Sequence, residues 1–238
     1  MARMERPTTE STNPCTKFIQ WKSNEKQFAY FDKTLGDKSK GEKGKDVFLP
    51  LPFKFLFLEH YHTVKGWHGA SDKGIYANEV FILSKEPLTV KTFGGLTVAE
   101  GLYKDIKNEV NVAGGTYHRS IYIMLEDGEI ANLQLKGAVV GGIKKEQAIS
   151  KRDVKGYSDF YNANNKLMDN QWIIINSAED AKKGATKYSI PVFEMGEVIS
   201  PTDNDNADEC VTKLVTHMKV YKDEEVLVEA DENEELDY

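Results

Sequence analysis

Cysteine is nearly absent from the chain. Its 238 residues hold only Cys15 and Cys210, with no C-x-x-C, so neither a disulfide framework nor a thiolate zinc site is expected. That usage fits a reducing, cytoplasmic compartment, the host-cell cytoplasm if the protein is phage-encoded. Long apolar runs are missing too. The richest, Val47 to Leu58, is broken by Pro50, Pro52 and Lys54, too short and interrupted to cross a bilayer. The opening Met1-Ala2-Arg3-Met4-Glu5-Arg6-Pro7 lacks an apolar segment, so no signal peptide and no membrane association are expected. Catalytic signatures are also lacking. No G-x-S-x-G, H-E-x-x-H or G-x-G-x-x-G occurs, and Gly44-Lys45 fails as a phosphate loop because Ser39 and Asp46 stand where Gly and Ser/Thr are needed. One constellation could suggest a metal, His60-Tyr61-His62 with Glu59 and His68, since residues i and i+2 share a strand face. No third ligand of defined geometry accompanies it. The expectation is therefore no enzyme, no cofactor and no metal.

Positive charge is absent from the last sixteen residues, 223–238, which carry nine carboxylates and no Lys or Arg. So charged a segment cannot bury enough apolar area to offset its ordering entropy, and a disordered acidic tail is expected. The whole chain has net charge −7; without the tail it is +2. A weakly basic body joined to a polyanion suits a nucleic-acid binder whose tail competes for its own cationic surface. Within the tail, Asp231, Glu232, Glu234, Glu235, Leu236, Asp237 and Tyr238 set two apolar groups among carboxylates, a pattern that a partner pocket with a basic rim can hold. A purely solubilising terminus is the plainer alternative.

Residues 1–16 read as a flexible arm, 17–222 as one domain and 223–238 as the tail. Within the domain, Gln27 to Tyr30 alternates as a strand. Residues 33–45, with five lysines and three glycines, read as a cationic flexible loop. Val47 to Glu59, Thr63 to Trp67, Ile75 to Leu83 and Leu88 to Thr92 read as strands rich in Phe, Val, Ile and Tyr. The period then changes: Leu102, Ile106 and Val110 predict an amphipathic helix over Ala99 to Val112, stopped by Gly114-Gly115. Thr116 to Leu125 and Ile130 to Lys136 pair across an Asp127-Gly128 turn. After a polar stretch through Asn165, Gln171 to Asn176 and Lys187 to Phe193 complete the strands. A final helix over 205–222 presents Val211, Leu214, Val215, Met218 and Tyr221 on one face. The fold class expected is mainly β with a few helices, a partly open Greek-key β-barrel with appended strands.

Binding single strands without sequence preference takes cations for phosphates and ring faces for bases. The strands interleave these types. Lys65-Gly66-Trp67 puts a cation and a large ring on one face, and Tyr76 opens the next strand. In Thr116 to Leu125 the core takes Ile121, Ile123 and Leu125, leaving His118 and Tyr122 outward with Tyr117 and Arg119 near the mouth. Leu133 and Leu135 pack inward, and Asn132, Gln134 and Lys136 face out. With Lys54, exposed between the core residues Phe53, Phe55 and Phe57, the candidate DNA-binding set is Lys54, Lys65, Trp67, Tyr76, Tyr117, His118, Arg119, Tyr122 and Lys136. Taken singly, each ring could equally be packing and each lysine ordinary surface.

Between Lys26 and Lys136 the chain resembles the OB-fold single-stranded-DNA-binding proteins of tailed bacteriophages. The resemblance rests on Phe28-Ala29-Tyr30-Phe31-Asp32, Leu49-Pro50-Leu51-Pro52-Phe53-Lys54-Phe55, Thr63-Val64-Lys65-Gly66-Trp67, Ala99-Glu100-Gly101-Leu102-Tyr103, Gly114-Gly115-Thr116-Tyr117 and Leu133-Gln134-Leu135-Lys136-Gly137-Ala138. Tyr188-Ser189-Ile190-Pro191-Val192-Phe193, the final helix and the acidic tail match the family's general layout. It implies an OB barrel whose concave face holds single-stranded DNA during replication, recombination or repair. It also implies a tail that recruits replication proteins and competes with DNA, Tyr238 standing where relatives often end in Phe. Residues 138–200 depart most from the pattern; homodimerisation and an extra DNA-contacting flap are both open for them. An RNA-binding barrel and a protein-interaction or virion structural module remain the alternatives.

Overall fold

The structure, a computed structural model, describes residues 13–36 and 43–234, with side chains as far as Lys219. Most of the N-terminal arm, the centre of the lysine-rich loop and tail residues 235–238 lie outside the described residues. Eleven strands and four helices follow in chain order: β1 (Lys17–Lys22), β2 (Gln27–Asp32), β3 (Lys45–Leu49), β4 (Phe53–His68), β5 (Lys73–Ala77), β6 (Leu88–Thr92), β7 (Thr97–Gly101), α1 (Tyr103–Val112), β8 (Gly115–Leu125), β9 (Ile130–Lys136), α2 (Ala138–Gly141), α3 (Tyr157–Asn164), β10 (Gln171–Lys183), β11 (Thr186–Val198) and α4 (Pro201–Glu234). The strands form one open sheet ordered β3-β2-β1-β9-β8-β4-β5-β6-β7, with β10 pairing β4 and β11 pairing β10. Among the described residues, only the β1–β9 pair is parallel. Side chains bridge the gap between β11 and the β1–β2 turn. The Trp21 indole N–H donates to the Ser189 carbonyl at 2.9 Å, and the Ser189 N–H donates to the Ser23 hydroxyl at 2.6 Å.

The strand β4 organises the molecule because a bulge splits it. Phe53, Phe55 and Phe57 point to the inner side. The register shift between Phe57 and Glu59 then moves the inward set to His60, His62 and Val64. The first half builds the main core with Ile121, Ile123, Leu125, Leu133, Leu135, Ile173 and Ile175, closed at one end by Val139 and Val140 of α2 and Tyr157 and Phe160 of α3. Past the bulge, Val64 joins Ile75, Leu88, Val90, Ala99, Ile106 and Val110 in a smaller core between β5–β7 and α1. Among the described residues, the outer side is covered over one end. There Ala207, Cys210, Leu214 and Met218 of α4 pack on Leu56, Tyr122, Met124, Ile130 and Trp172. Both cysteines are free and buried in this cluster, Cys210 from α4 itself and Cys15 from the segment before β1.

Several expected boundaries move. Val47 to Glu59 is two strands, separated at Pro50-Leu51-Pro52, and β4 continues unbroken through the gap expected at residues 60–62. Ile75 to Leu83 pairs regularly only to Ala77, after which Val80 alone bridges to His62. The predicted helix over Ala99 to Val112 begins at Tyr103, because Thr97–Gly101 pairs with β6 first. The short apolar segment before the polar stretch forms α2, and the polar stretch itself conceals α3, each anchored by a few buried apolar side chains. Helix α4 buries Ala207 and Cys210 in place of Val211 and Val215, which stay exposed. It also runs on through Glu234, so the segment expected to be disordered is helical backbone that far. No Gly or Pro follows Pro201, and nothing local breaks the helix. Among the described residues, no helix is long and apolar enough to cross a membrane.

Candidate nucleic-acid interface

Cross-strand register puts one row of side chains on the outer side, beyond the end that α4 covers. Thr116 of β8 stands opposite Lys65 of β4, Lys65 opposite Tyr76 of β5, and Tyr76 opposite Lys91 of β6. Directly opposed residues share a face. Trp67, two positions from Lys65, shares it too, as do His118 and its partner Lys136 on β9. Trp67 lies opposite Gly74, and the Phe93 ring occupies the space a Gly74 side chain would fill. Phe93 stacks on Tyr76 with ring centroids 5.1 Å apart and planes 22° from parallel. Trp67 is 57% exposed and Phe93 75%, far more than folding requires of such rings. Among the described residues, Lys65, Lys73, Lys91 and Lys136 form no ion pair with a carboxylate.

This face is concave. The Lys65 ammonium lies 5.4 Å from the centre of the Phe18 ring on β1, although β8 and β9 intervene in the sheet. On a flat sheet, three interstrand steps and six residues along the strands would hold them roughly 24 Å apart. They meet because the sheet curls around its outer side. The floor of the resulting trough is polar yet buried: Thr63, His118, Ser120, Asn132 and Gln134. Asn132 donates to the Ser120 hydroxyl at 2.6 Å while its own side-chain oxygen has no partner. Burial lowers the pKa of Lys65 and holds His118 down to about 4, so His118 is neutral near pH 7. At one end the trough opens into a cavity of about 430 Å³ between β9, β11 and the β1–β2 turn, lined in part by Gln20, His118, Gln134 and Lys136.

The sequence-predicted site residues thus divide. Lys65, Trp67, Tyr76, His118 and Lys136 share the trough. Tyr122 shares its face but is sealed: its ring is buried under α4 and its hydroxyl donates to Glu79 at 2.8 Å, so it is no stacking platform. Lys54 lies on the same face at the covered end. It is engaged by Glu197 and Glu126 and sits 4.4 Å from the centre of the Trp172 ring, so its charge is already compensated. Tyr117 and Arg119 are on the opposite side, because alternate residues of β8 cannot share a face with His118. There the Tyr117 hydroxyl lies 2.8 Å from His62 Nδ1 and an Arg119 guanidinium nitrogen 2.8 Å from His62 Nε2. Those contacts occupy both His62 nitrogens, and His60 Nδ1 lies 3.3 Å from the Tyr157 hydroxyl. Among the described residues, no group of three or more His, Cys, Asp or Glu is arranged to hold a metal ion. Of the tail, Asp231, Glu232 and Glu234 lie on helical backbone, and Glu235, Leu236, Asp237 and Tyr238 lie outside the described residues.

Sequence reasoning missed Phe18, Lys91 and Phe93. Phe93 carried a signal, a large ring beside a glycine pair in Thr92-Phe93-Gly94-Gly95, where no core is being built. Lys91 and Phe18 carried none, since only distant strand register brings them to this face. No protein family, curated protein or solved structure matches this chain.

Proposed function

We propose that the chain binds single-stranded DNA along the curled outer face of β9, β8, β4, β5 and β6, largely without regard to sequence. Bases stack on Trp67, Tyr76 and Phe93 while Lys65, Lys91 and Lys136 neutralise phosphates. The observation that carries this reading is the row Lys65–Tyr76–Lys91, a ring between two unpaired cations, with the exposed Phe93 and Trp67 beside it. Solvent-facing rings alternating with cations are what sequence-tolerant strand binding requires. Structural rings would be covered and structural lysines paired.

Connectivity supports an OB-type barrel. β4, β8 and β9 run as an antiparallel meander, helical residues follow β9, and β10 returns to pair with the first half of β4 before turning into β11. In that reading β4, β8, β9, β10 and β11 are the five barrel strands. The segment β5–β7 with α1 is an insertion between the first and second, and β1 fills the side next to the third. The trough then falls on the face of the second and third strands and beside the first loop, the surface by which OB folds hold oligonucleotides. The acidic residues 223–238 would compete for the same cations and offer Leu236 and Tyr238 to a replication, recombination or repair partner in a phage-type system.

The test is a titration of labelled oligo-dT at low and moderate salt, with the full chain and with a chain ending at Lys222. Tight binding that weakens steeply with salt, and that tightens when residues 223–238 are removed, is expected. A truncated chain that fails to bind oligo-dT at low salt overturns the proposal, and a preference for oligo-rU reassigns the face to RNA.

A further inference from the structure

The cavity at the end of the trough is built differently from the stacking row. Its apolar walls include Trp21, Val139 and Ile190, and its polar lining includes Gln20, His118, Gln134 and Lys136, with Ser23 and Ser189 beside the β1–β2 turn. At about 430 Å³ it lies within the range of roughly 300–1,000 Å³ typical of small-ligand sites. His118 and Gln134 are each 6% exposed, and their polar atoms are set by neighbours. His118 Nδ1 lies 2.9 Å from the Thr116 carbonyl oxygen, which can only accept, so Nδ1 carries the proton and Nε2 presents a lone pair. The Gln20 amide donates to Gln134 Oε1 at 3.3 Å, which leaves the Gln134 NH₂ as a donor. An acceptor and a donor thus line the cavity from diagonal positions on β8 and β9.

We infer that this cavity takes one base unstacked from the bound strand and selects a base presenting an imino N–H beside a carbonyl, as thymine and uracil do. The inference rests on the proposed strand binding and adds a single point of readout to it. In this arrangement the imino N3–H donates to His118 Nε2 and a neighbouring carbonyl accepts from Gln134. Trp21, Val139 and Ile190 enclose the ring, and Lys136 meets the flanking phosphate. Cytosine presents a lone pair at N3, which faces the His118 lone pair and leaves both unsatisfied. A site built to bond an N–H rejects the base that lacks it, here by about tenfold. Reading an unstacked base by its pairing edge needs no duplex and adds only the cost of unstacking.

The experiment compares anisotropy titrations of the full chain with oligo-dT, oligo-dU, oligo-dC and an oligo-dT of the same length methylated at every N3, with oligo-rU to separate DNA from RNA. The ligand-side change tests the inference without altering the fold. Oligo-dT and oligo-dU are expected to bind alike, and about tenfold more tightly than oligo-dC or the N3-methyl strand. The His118→Phe variant, which removes the acceptor for the imino N–H, should bring oligo-dT down to the affinity of oligo-dC. If the parent holds oligo-dT and its N3-methyl form equally, or His118→Phe keeps the preference intact, base readout is overturned while strand binding stands. If no strand binds at low salt, the proposed function itself falls, and this inference with it.

Discussion

Tyr76 stacks on Phe93 at 5.1 Å, and both rings belong to the face on which Tyr76 stands between Lys65 and Lys91. An exposed ring pair contributes little to a core, so its removal should affect binding and spare the fold. Tyr76→Ala, Phe93→Ala and Trp67→Ala should each weaken oligo-dT binding by roughly 1–3 kcal/mol per lost base contact. Fluorescence anisotropy gives the affinity, and thermal melts should place each variant close to the parent.

The lysines make a separate prediction, about salt. A cation that displaces counterions from a single strand contributes roughly 0.7 to the slope of log affinity against log salt. Lys91→Gln and Lys136→Gln should each flatten that slope by about this amount. Lys54→Gln should leave it unchanged, because Glu197 and Glu126 already compensate that charge.

Two glycines on neighbouring strands should respond in opposite ways. A Cβ on Gly66 would overlap the Gly114 carbonyl oxygen, backbone that cannot move aside, so Gly66→Ala should lower stability by roughly 2 kcal/mol or more. A Cβ on Gly74 meets only the Phe93 ring. Gly74→Ala should therefore keep the melting temperature near that of the parent while pushing Phe93 off Tyr76 and weakening oligo-dT binding. Denaturation and titration of both variants distinguish the two outcomes.

Acid should destabilise the fold through its histidines. Burial holds His60 down to about 3 and His62 and His118 to about 4, and the Arg119 guanidinium adds to the effect on His60 and His62. In the unfolded chain these groups take up protons near pH 6.5, so below that value the unfolded state binds more protons than the native one. Stability is therefore full above pH 6.5 and declines as pH falls toward 4. Between pH 6.5 and 5 the loss is roughly 2 kcal/mol for each of His60 and His118. Urea denaturation at stepped pH measures it, and His118→Gln should flatten the profile.

How much of this was legible in the chain depends on whether period two was enough. It was for β8 and β9, where Ile121, Ile123, Leu125, Leu133 and Leu135 alternate cleanly into the core. The same period forbids Tyr117 and Arg119 from sharing a face with His118, and counting all three in one DNA-binding set disregarded it. The bulge near Glu59 has no local signature, since one extra residue reverses parity without Gly or Pro to mark it. Burial of Tyr122 depends on α4 crossing the sheet from far along the chain, and α4 selected Ala207 and Cys210 over the more apolar Val211 and Val215. The curl that brings Phe18 to Lys65 is a property of the whole sheet. Composition and alternation indicated rings and cations; only register gathered them.

The central claim is that single strands lie on the curled outer face and nowhere else. Charge reversal tests it most directly. Lys91→Glu with Lys136→Glu alters the trough, while Lys155→Glu with Lys166→Glu makes the same charge change near α3, which packs on the inner core. In oligo-dT titrations at one fixed low salt, the first pair should lose at least about tenfold in affinity and the second pair little. Equal losses in both pairs, or no loss in the first, would contradict the claim.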